Sequence, residues 1–164
     1  MGYVEEIRHF IGTRPLLLPG AIVLVVDAKQ GILLQQRLDG SWGLPGGIME
    51  LGESCEETAR REVFEEAGLT LGALELVGVI SGEDQYILCS NGDEVYSVTV
   101  AYATREFTGE LVVDFTESLA MRFFAPDELP RTEMTRNARY IVDKYSGGRA
   151  ALTGEIGKPK FGPN

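Results

Sequence analysis

The stretch Arg61-Glu62-Val63-Phe64-Glu65-Glu66-Ala67-Gly68 (REVFEEAG, 61–68) sets three glutamates at i, i+3 and i+4. On a helix these positions are neighbours, and each like-charged pair costs an isolated helix about 0.2–0.5 kcal/mol. Glu62, Glu65 and Glu66 fall within an arc of roughly 100°, and Ala59, Val63 and Ala67 form an apolar stripe beside them. Such a helix packs one side on a core and carries three carboxylates on the next. Arg61 stands four residues from both Glu57 and Glu65, so it can bridge both. One arginine does not neutralise the whole cluster. A hard divalent cation does, because Mg²⁺ prefers oxygen ligands and combines carboxylates with substrate phosphates. Acidic runs on helices are more often plain solvated faces. The flanking residues decide between the two.

Working outward, Ser54 with Glu57 three residues later is a capping-box pattern, and Gly68 suits the position just past a helix end, so a helix is expected over 54–67. Upstream, AIVLVVD (21–27) is continuously apolar and β-branched, as in a strand covered on both faces. ILLQQR (32–37) is its expected partner, and Pro15, Pro19-Gly20 and SWGLPGG (41–47) read as irregular segments. Downstream, LELVGVI (74–80), YILCS (86–90), EVYSVTVAYAT (94–104) and LAMRFF (119–124) read as strands, with Asn91-Gly92 a hairpin signal. Tyr96, Val98, Val100 and Tyr102 alternate with smaller residues, a period of two that predicts one buried face. Short amphipathic helices are expected at 4–11 and 135–145. No repeat or linker divides the chain. One domain over 1–146 is expected, with a flexible C-terminal tail over the Gly- and Pro-rich 147–164. Strands mixed with two main helices give a layered α/β (α+β) domain.

The 164 residues are 44% hydrophobic and 24% charged, a globular composition with enough chain for a full core. The formal charge of −10 disfavours a broad contact with a phosphate backbone and argues against nucleic acid as a partner. Cys55 and Cys89 have no metal-ligand spacing and are expected to be free thiols in a reducing compartment. The apolar run at 16–26 is too short to span a bilayer and is broken by Pro19-Gly20, and no signal peptide pattern precedes it. A cytoplasmic protein without membrane contact is expected. His9 is the single histidine, which argues against a zinc site or a histidine-based triad.

The segment GGIMELGESCEETARREVFEEAGL (46–69) places Gly47, Glu53, Arg61-Glu62, apolar Val63, Glu65-Glu66, Gly68 and apolar Leu69 at fixed spacings. This pattern resembles the signature of the Nudix (MutT-like) hydrolase family at every specified position. Seven fixed identities and two apolar classes coincide by chance about once in 10⁹ starting points. SWGLPGG before the segment and RFFAPDELP near the end are similar to the family too, so the resemblance covers residues 20–130. It implies a Nudix-type α/β/α sandwich, a mixed β-sheet between helices, with the signature forming a loop–helix–loop.

The resemblance also implies a reaction, the hydrolysis of a phosphoanhydride bond in a nucleoside di- or triphosphate or a nucleoside diphosphate-linked compound. By it Glu53, Glu62, Glu65 and Glu66 are the metal-ligand positions for Mg²⁺, with Mn²⁺ able to substitute. Glu62, Glu65, Glu66 and Arg61 carry catalysis, and Gly46 and Gly47 approach the substrate. A base from outside the signature is expected, with Glu117 the first candidate and Glu50 and Glu83 weaker ones. Trp42 is expected to pack rather than stack on a base. Relatives acting on ADP-ribose usually carry a proline about fifteen residues past the signature, where this chain has Asp84 and Gln85. Relatives acting on dinucleoside polyphosphates carry a tyrosine near Tyr86, the candidate substrate-binding residue there. Two other readings share these residues: a Nudix-fold nucleotide sensor that does not cleave, and an RNA 5′-pyrophosphohydrolase. A homodimer is a further expectation from the family.

Overall fold

A computed structural model describes residues 2–152. Among the described residues three α-helices, α1 (Tyr3–Ile11), α2 (Cys55–Ala67) and α3 (Arg136–Leu152), accompany ten strands. The strands are β1 (Leu16–Asp27), β2 (Gly31–Arg37), β3 (Trp42–Gly43), β4 (Gly46–Ile48), β5 (Thr70–Leu71), β6 (Glu75–Ile80), β7 (Tyr86–Leu88), β8 (Glu94–Thr104), β9 (Phe107–Thr108) and β10 (Ser118–Phe124). The main sheet runs β10-β2-β1-β8-β6, with β3 on β2, β4 on β1 and β7 on β8. β1 and β8 pair in parallel from Leu16↔Val95 to Val25↔Thr104, while the other strand pairs are antiparallel, so the sheet is mixed.

Alternation along β1 divides the core. Ala21, Val23 and Val25 point to one face, where they meet Ala59, Val63 and Ala67 of α2, and Leu24 points to the other among Ala138, Ile141 and Val142 of α3. The expected apolar stripe of α2 is fully buried. The result is an α/β/α sandwich with β1 and β8 at its centre. α1 carries no buried residue and is tied to the start of β8 by Arg8, which donates to the Glu94 carbonyl at 2.8 Å.

Four sequence expectations change. β1 runs five residues further back than its apolar stretch, through Pro19-Gly20. The Pro19 carbonyl accepts the Met49 N–H, and the reciprocal bond that proline cannot donate falls at the end of β4, where the ladder stops. Gly46–Ile48, read as irregular, forms the short strand β4. β8 does not alternate in burial: Ala101, Tyr102, Ala103 and Thr104 are all buried, because helices cover both faces at this end. α3 continues to Leu152, six residues into the segment expected to be a tail, and the remainder of that segment lies outside the described residues. No helix among the described residues is long and apolar enough to cross a membrane.

Candidate active site

Helix α2 presents the acids because its start is fixed. The Ser54 N–H donates to Glu57 Oε2 at 2.7 Å and the Glu57 N–H donates back to Ser54 Oγ at 3.2 Å, a complete capping box. Gly68 ends the helix, its N–H donating to the Phe64 carbonyl at 2.9 Å. Glu57 is spent on the cap, so Arg61 does not bridge it as the spacing allowed. Arg61 turns to Glu53 instead, a contact across the loop that no helical spacing reveals.

That contact is forked, with Arg61 Nε to Glu53 Oε1 at 2.6 Å and Nη2 to Oε2 at 2.9 Å. Arg61 Nη1 also donates to Glu62 Oε1 at 2.8 Å and Glu65 Oε2 at 3.0 Å, and Nη2 reaches the Ile48 carbonyl at 3.0 Å. Thr58 Oγ1 and the Glu50 N–H add donors to Glu53. Arg61 above all, with these donors, holds the Glu53 carboxyl down to about 2. Three of the four expected ligand carboxylates therefore gather on one guanidinium. Among the described residues, no three acidic, histidine or cysteine side chains meet in metal-holding geometry.

Glu66 takes a different environment. It is buried at 6% exposure, with Oε1 accepting from Gln35 Nε2 and Oε2 from the Gly46 N–H, both at 2.8 Å. Burial outweighs these donors and, helped by the charge of Glu62, raises its pKa to about 7. Burial also raises Glu62, against the pull of Arg61 and with help from the charges of Glu65 and Glu117. Both acids are thus short of positive charge even with Arg61 in place.

The glycine pair joins this cluster to a cleft on the other side of the sheet. Gly46 has φ +138, and a Cβ there would stand 2.1 Å from the Ala21 carbonyl oxygen. A Cβ on Gly47 would stand 2.5 Å from the Glu62 carboxyl carbon, so only glycine lets Glu62 lie against this strand. Gly46 and Gly47 also line a cleft of about 470 Å³ on the α3 side of the sheet, a size suited to a small ligand. Ile22, Ser97 and Thr99 line it from the sheet, Arg37 from the end of β2, and Asn137 from α3. Across one end Arg136 pairs with Asp84 at 2.6 Å, and Asn137 Nδ2 donates to Gln85 Oε1 at 2.8 Å.

Of the other sequence candidates, Glu117 is exposed on the turn before β10, near enough for its charge to act on Glu62. Glu50 contributes its N–H to Glu53, and Glu83 lies in a 3₁₀ turn beside Asp84 and Gln85. Trp42 packs edge-on against Phe124 with ring centroids 4.8 Å apart, as expected. Tyr86 stands on the sheet face opposite the cleft, paired with Tyr96 and donating to Glu94 Oε2 at 2.9 Å. Its register on β7 points Ile87, not Tyr86, into the cleft. Gln35 and its partner Ser118 escaped the sequence reading. Gln35, 3% exposed, bonds Glu66 and also donates to the buried Ser118 Oγ at 2.9 Å, tying β2, β10 and α2 together. A polar residue inside the run ILLQQR was the available signal.

The NUDIX domain pattern matches residues 16–145. A Bacillus subtilis (strain 168) protein named "Putative 8-oxo-dGTP diphosphatase" is 31% identical over 135 residues, spanning 79% of this chain and 81% of its own length. The "NAD-capped RNA hydrolase NudC" of Pseudomonas aeruginosa (strain LESB58) is 29% identical over 139 residues, 83% of this chain but 46% of that protein. The crystal structure of a MutT NUDIX hydrolase from Burkholderia pseudomallei superposes with a TM-score of 0.67 at 30% identity, covering 79% of this chain and 98% of that one. With the signature glutamates placed around Arg61 and the glycine pair, these likenesses agree on one conclusion. The chain belongs to the Nudix family and is a pyrophosphate-bond hydrolase.

Proposed function

We propose that the protein is a Mg²⁺-dependent pyrophosphohydrolase of small nucleotides in the cytoplasm, cleaving a nucleoside triphosphate or a related diphosphate-linked compound. The observation that carries this reading is the Glu62 carboxylate seated against Gly47, where the acidic cluster meets the cleft. The donor set fits a hard cation: every candidate ligand is a carboxylate oxygen, and Glu62 and Glu66 both lack compensating charge. Glu53, Glu62, Glu65 and Glu66 would hold the ion, and Mn²⁺ would substitute for Mg²⁺. When bound, it supplies Lewis-acid stabilisation of the phosphoanhydride and lowers the pKa of water. Arg61 orients the glutamates through its fork, as lysine would not. Gln35 and the Gly46 N–H fix the rotamer of Glu66. Arg37 offers the phosphates a cation from the cleft wall. Glu117 is the proposed base, holding a proton drawn from the attacking water.

The relative named as a diphosphatase of 8-oxo-dGTP favours a purine triphosphate substrate. The complete set of carboxylates weighs against a sensor that does not cleave. The charge of −10 weighs against a long RNA, although the NudC likeness keeps capped RNA in the test. A panel of nucleoside triphosphates, 8-oxo-dGTP, dinucleoside polyphosphates, ADP-ribose, NAD and NAD-capped RNA, assayed with Mg²⁺ and with EDTA, decides. Turnover of a small nucleotide only with Mg²⁺ is expected; binding without turnover across the panel would establish the sensor instead. On the best substrate, Glu117→Gln is expected to lower kcat by about 10²–10⁴ with an unchanged circular dichroism spectrum. A near-normal rate would remove Glu117 from the site.

A further inference from the structure

Gln35 shares the α2-facing side of β2 with Leu33, whose side chain joins the apolar core beneath that helix. An apolar residue at 35 would serve this core as well. The chain buries an amide there instead, and both hydrogens of its Nε2 are taken, one by Glu66 Oε1 at 2.8 Å and one by Ser118 Oγ at 2.9 Å. A buried donor without a partner is costly, so the two acceptors fix the amide and the amide fixes them.

Ser118, itself buried, begins β10 and directly follows Glu117. Its N–H donates to the Asp114 carbonyl at 3.1 Å, and Asp114 Oδ1 accepts from the Thr116 N–H and hydroxyl, so residues 114–118 form a self-bonded turn. The turn has little packing of its own, since Phe115, Thr116 and Glu117 are exposed. It is fastened at its other end as well: the Asp114 N–H donates to the Glu66 carbonyl at 3.2 Å. Glu66 therefore holds both ends of the turn, one through its backbone and one through Gln35. The β10–β2 ladder is irregular between Ser118 and Ala120, where the turn joins the strand, so regular strand pairing does not hold this junction by itself.

We propose that Gln35 and Ser118 are positioning residues, a buried link that sets the Glu117 turn at a fixed distance from the acidic face of α2. This rests on the reading of Glu117 as the base. A base must stand within hydrogen-bond reach of the attacking water, and about 1 Å of misplacement costs as much as 10²-fold in rate. An exposed turn keeps such a distance only if it is tied to the element that carries the other acids, and the link supplies that tie.

Ser118→Ala removes one end of the link and keeps the Gln35–Glu66 bond, while Gln35→Met removes both at similar volume. In EDTA, hydrogen exchange at the N–H groups of residues 114 and 118 is expected to quicken at least about tenfold in Ser118→Ala, with α2 unchanged. With Mg²⁺ and the best nucleotide, each variant is expected to lower kcat by about tenfold or more at unchanged KM. Only Gln35→Met is expected to weaken the response to Mg²⁺, because it also releases Glu66. In a Glu117→Gln background Ser118→Ala is expected to lower kcat no further, the group it positions being already gone. A loss of the same size in that background would mark a structural role and overturn the proposal. Unchanged exchange or unchanged kcat in Ser118→Ala, beside an impaired Glu117→Gln, would overturn the link alone, whereas a near-normal Glu117→Gln would overturn the base reading and the link with it. If Ser118→Ala does not fold, the pair Gln35→Met/Ser118→Ala, which leaves no amide donor unpaired, carries the same comparison.

Discussion

Glu66 keeps its proton up to about 7 because burial outweighs the two N–H groups, from Gly46 and Gln35, that donate to it. Its folded pKa lies above the ordinary 4.5, so between those values the folded protein binds a proton that the unfolded chain has lost. Stability from this group is therefore full below about 4.5 and is lost as pH rises to about 7, by up to roughly 3 kcal/mol. Glu62 shifts in the same direction. Glu53, held near 2, acts oppositely, its contribution present above 4.5 and lost only as pH falls toward 2. Urea unfolding in EDTA across the range from 4.5 to 7 should show falling stability, and Glu66→Gln should flatten most of that slope. A flat profile in the unaltered protein would contradict the burial assigned to Glu66. Mg²⁺ should also flatten it, because a cation favours the ionised carboxylates.

Helix α2 shows what local sequence reveals about an element. Its cap, its apolar stripe and its terminating glycine were all legible, because each depends on spacing within one helix. Ser54→Ala should cost about 1 kcal/mol in urea unfolding, the usual value of an N-cap side chain; a change below a few tenths would mean that Glu57 holds the helix start without its partner. The partners that escaped the sequence lie far apart in the chain. Arg61 chose Glu53 over Glu57 because the cap had already taken Glu57, and Gln35 reached Glu66 and Ser118 through the stacking of β2, β10 and α2. The face of Tyr86 was not legible for a related reason: a period of two names two faces of a strand but does not say which one meets the cleft.

Across the whole molecule, β1 and β8 serve as a partition. Their α2-facing residues anchor the helix that carries the acids, and their α3-facing residues floor the cleft, with Gly46 and Gly47 at the border between the two. The family and the layered fold were legible because the signature joins loop, helix and loop within a short segment. The cleft was not, since its lining comes from six separated stretches between Leu18 and Ala138. Ser97→Trp should fill part of it and raise KM at least about tenfold, equivalent to 1.4 kcal/mol of binding, without altering unfolding by urea; an unchanged KM would place the nucleotide elsewhere. The central claim is that Glu62, lying against Gly47, helps hold the cation that drives phosphoanhydride hydrolysis. Its most direct test is steady-state turnover of the best nucleotide by the unaltered protein and by Glu62→Gln, each titrated with Mg²⁺ from an EDTA-treated start. The expected result is saturable activation of the unaltered protein, with kcat for Glu62→Gln reduced by about 10²–10⁴ and a weaker response to the ion. Equal turnover by both proteins, or full turnover in EDTA, would contradict it.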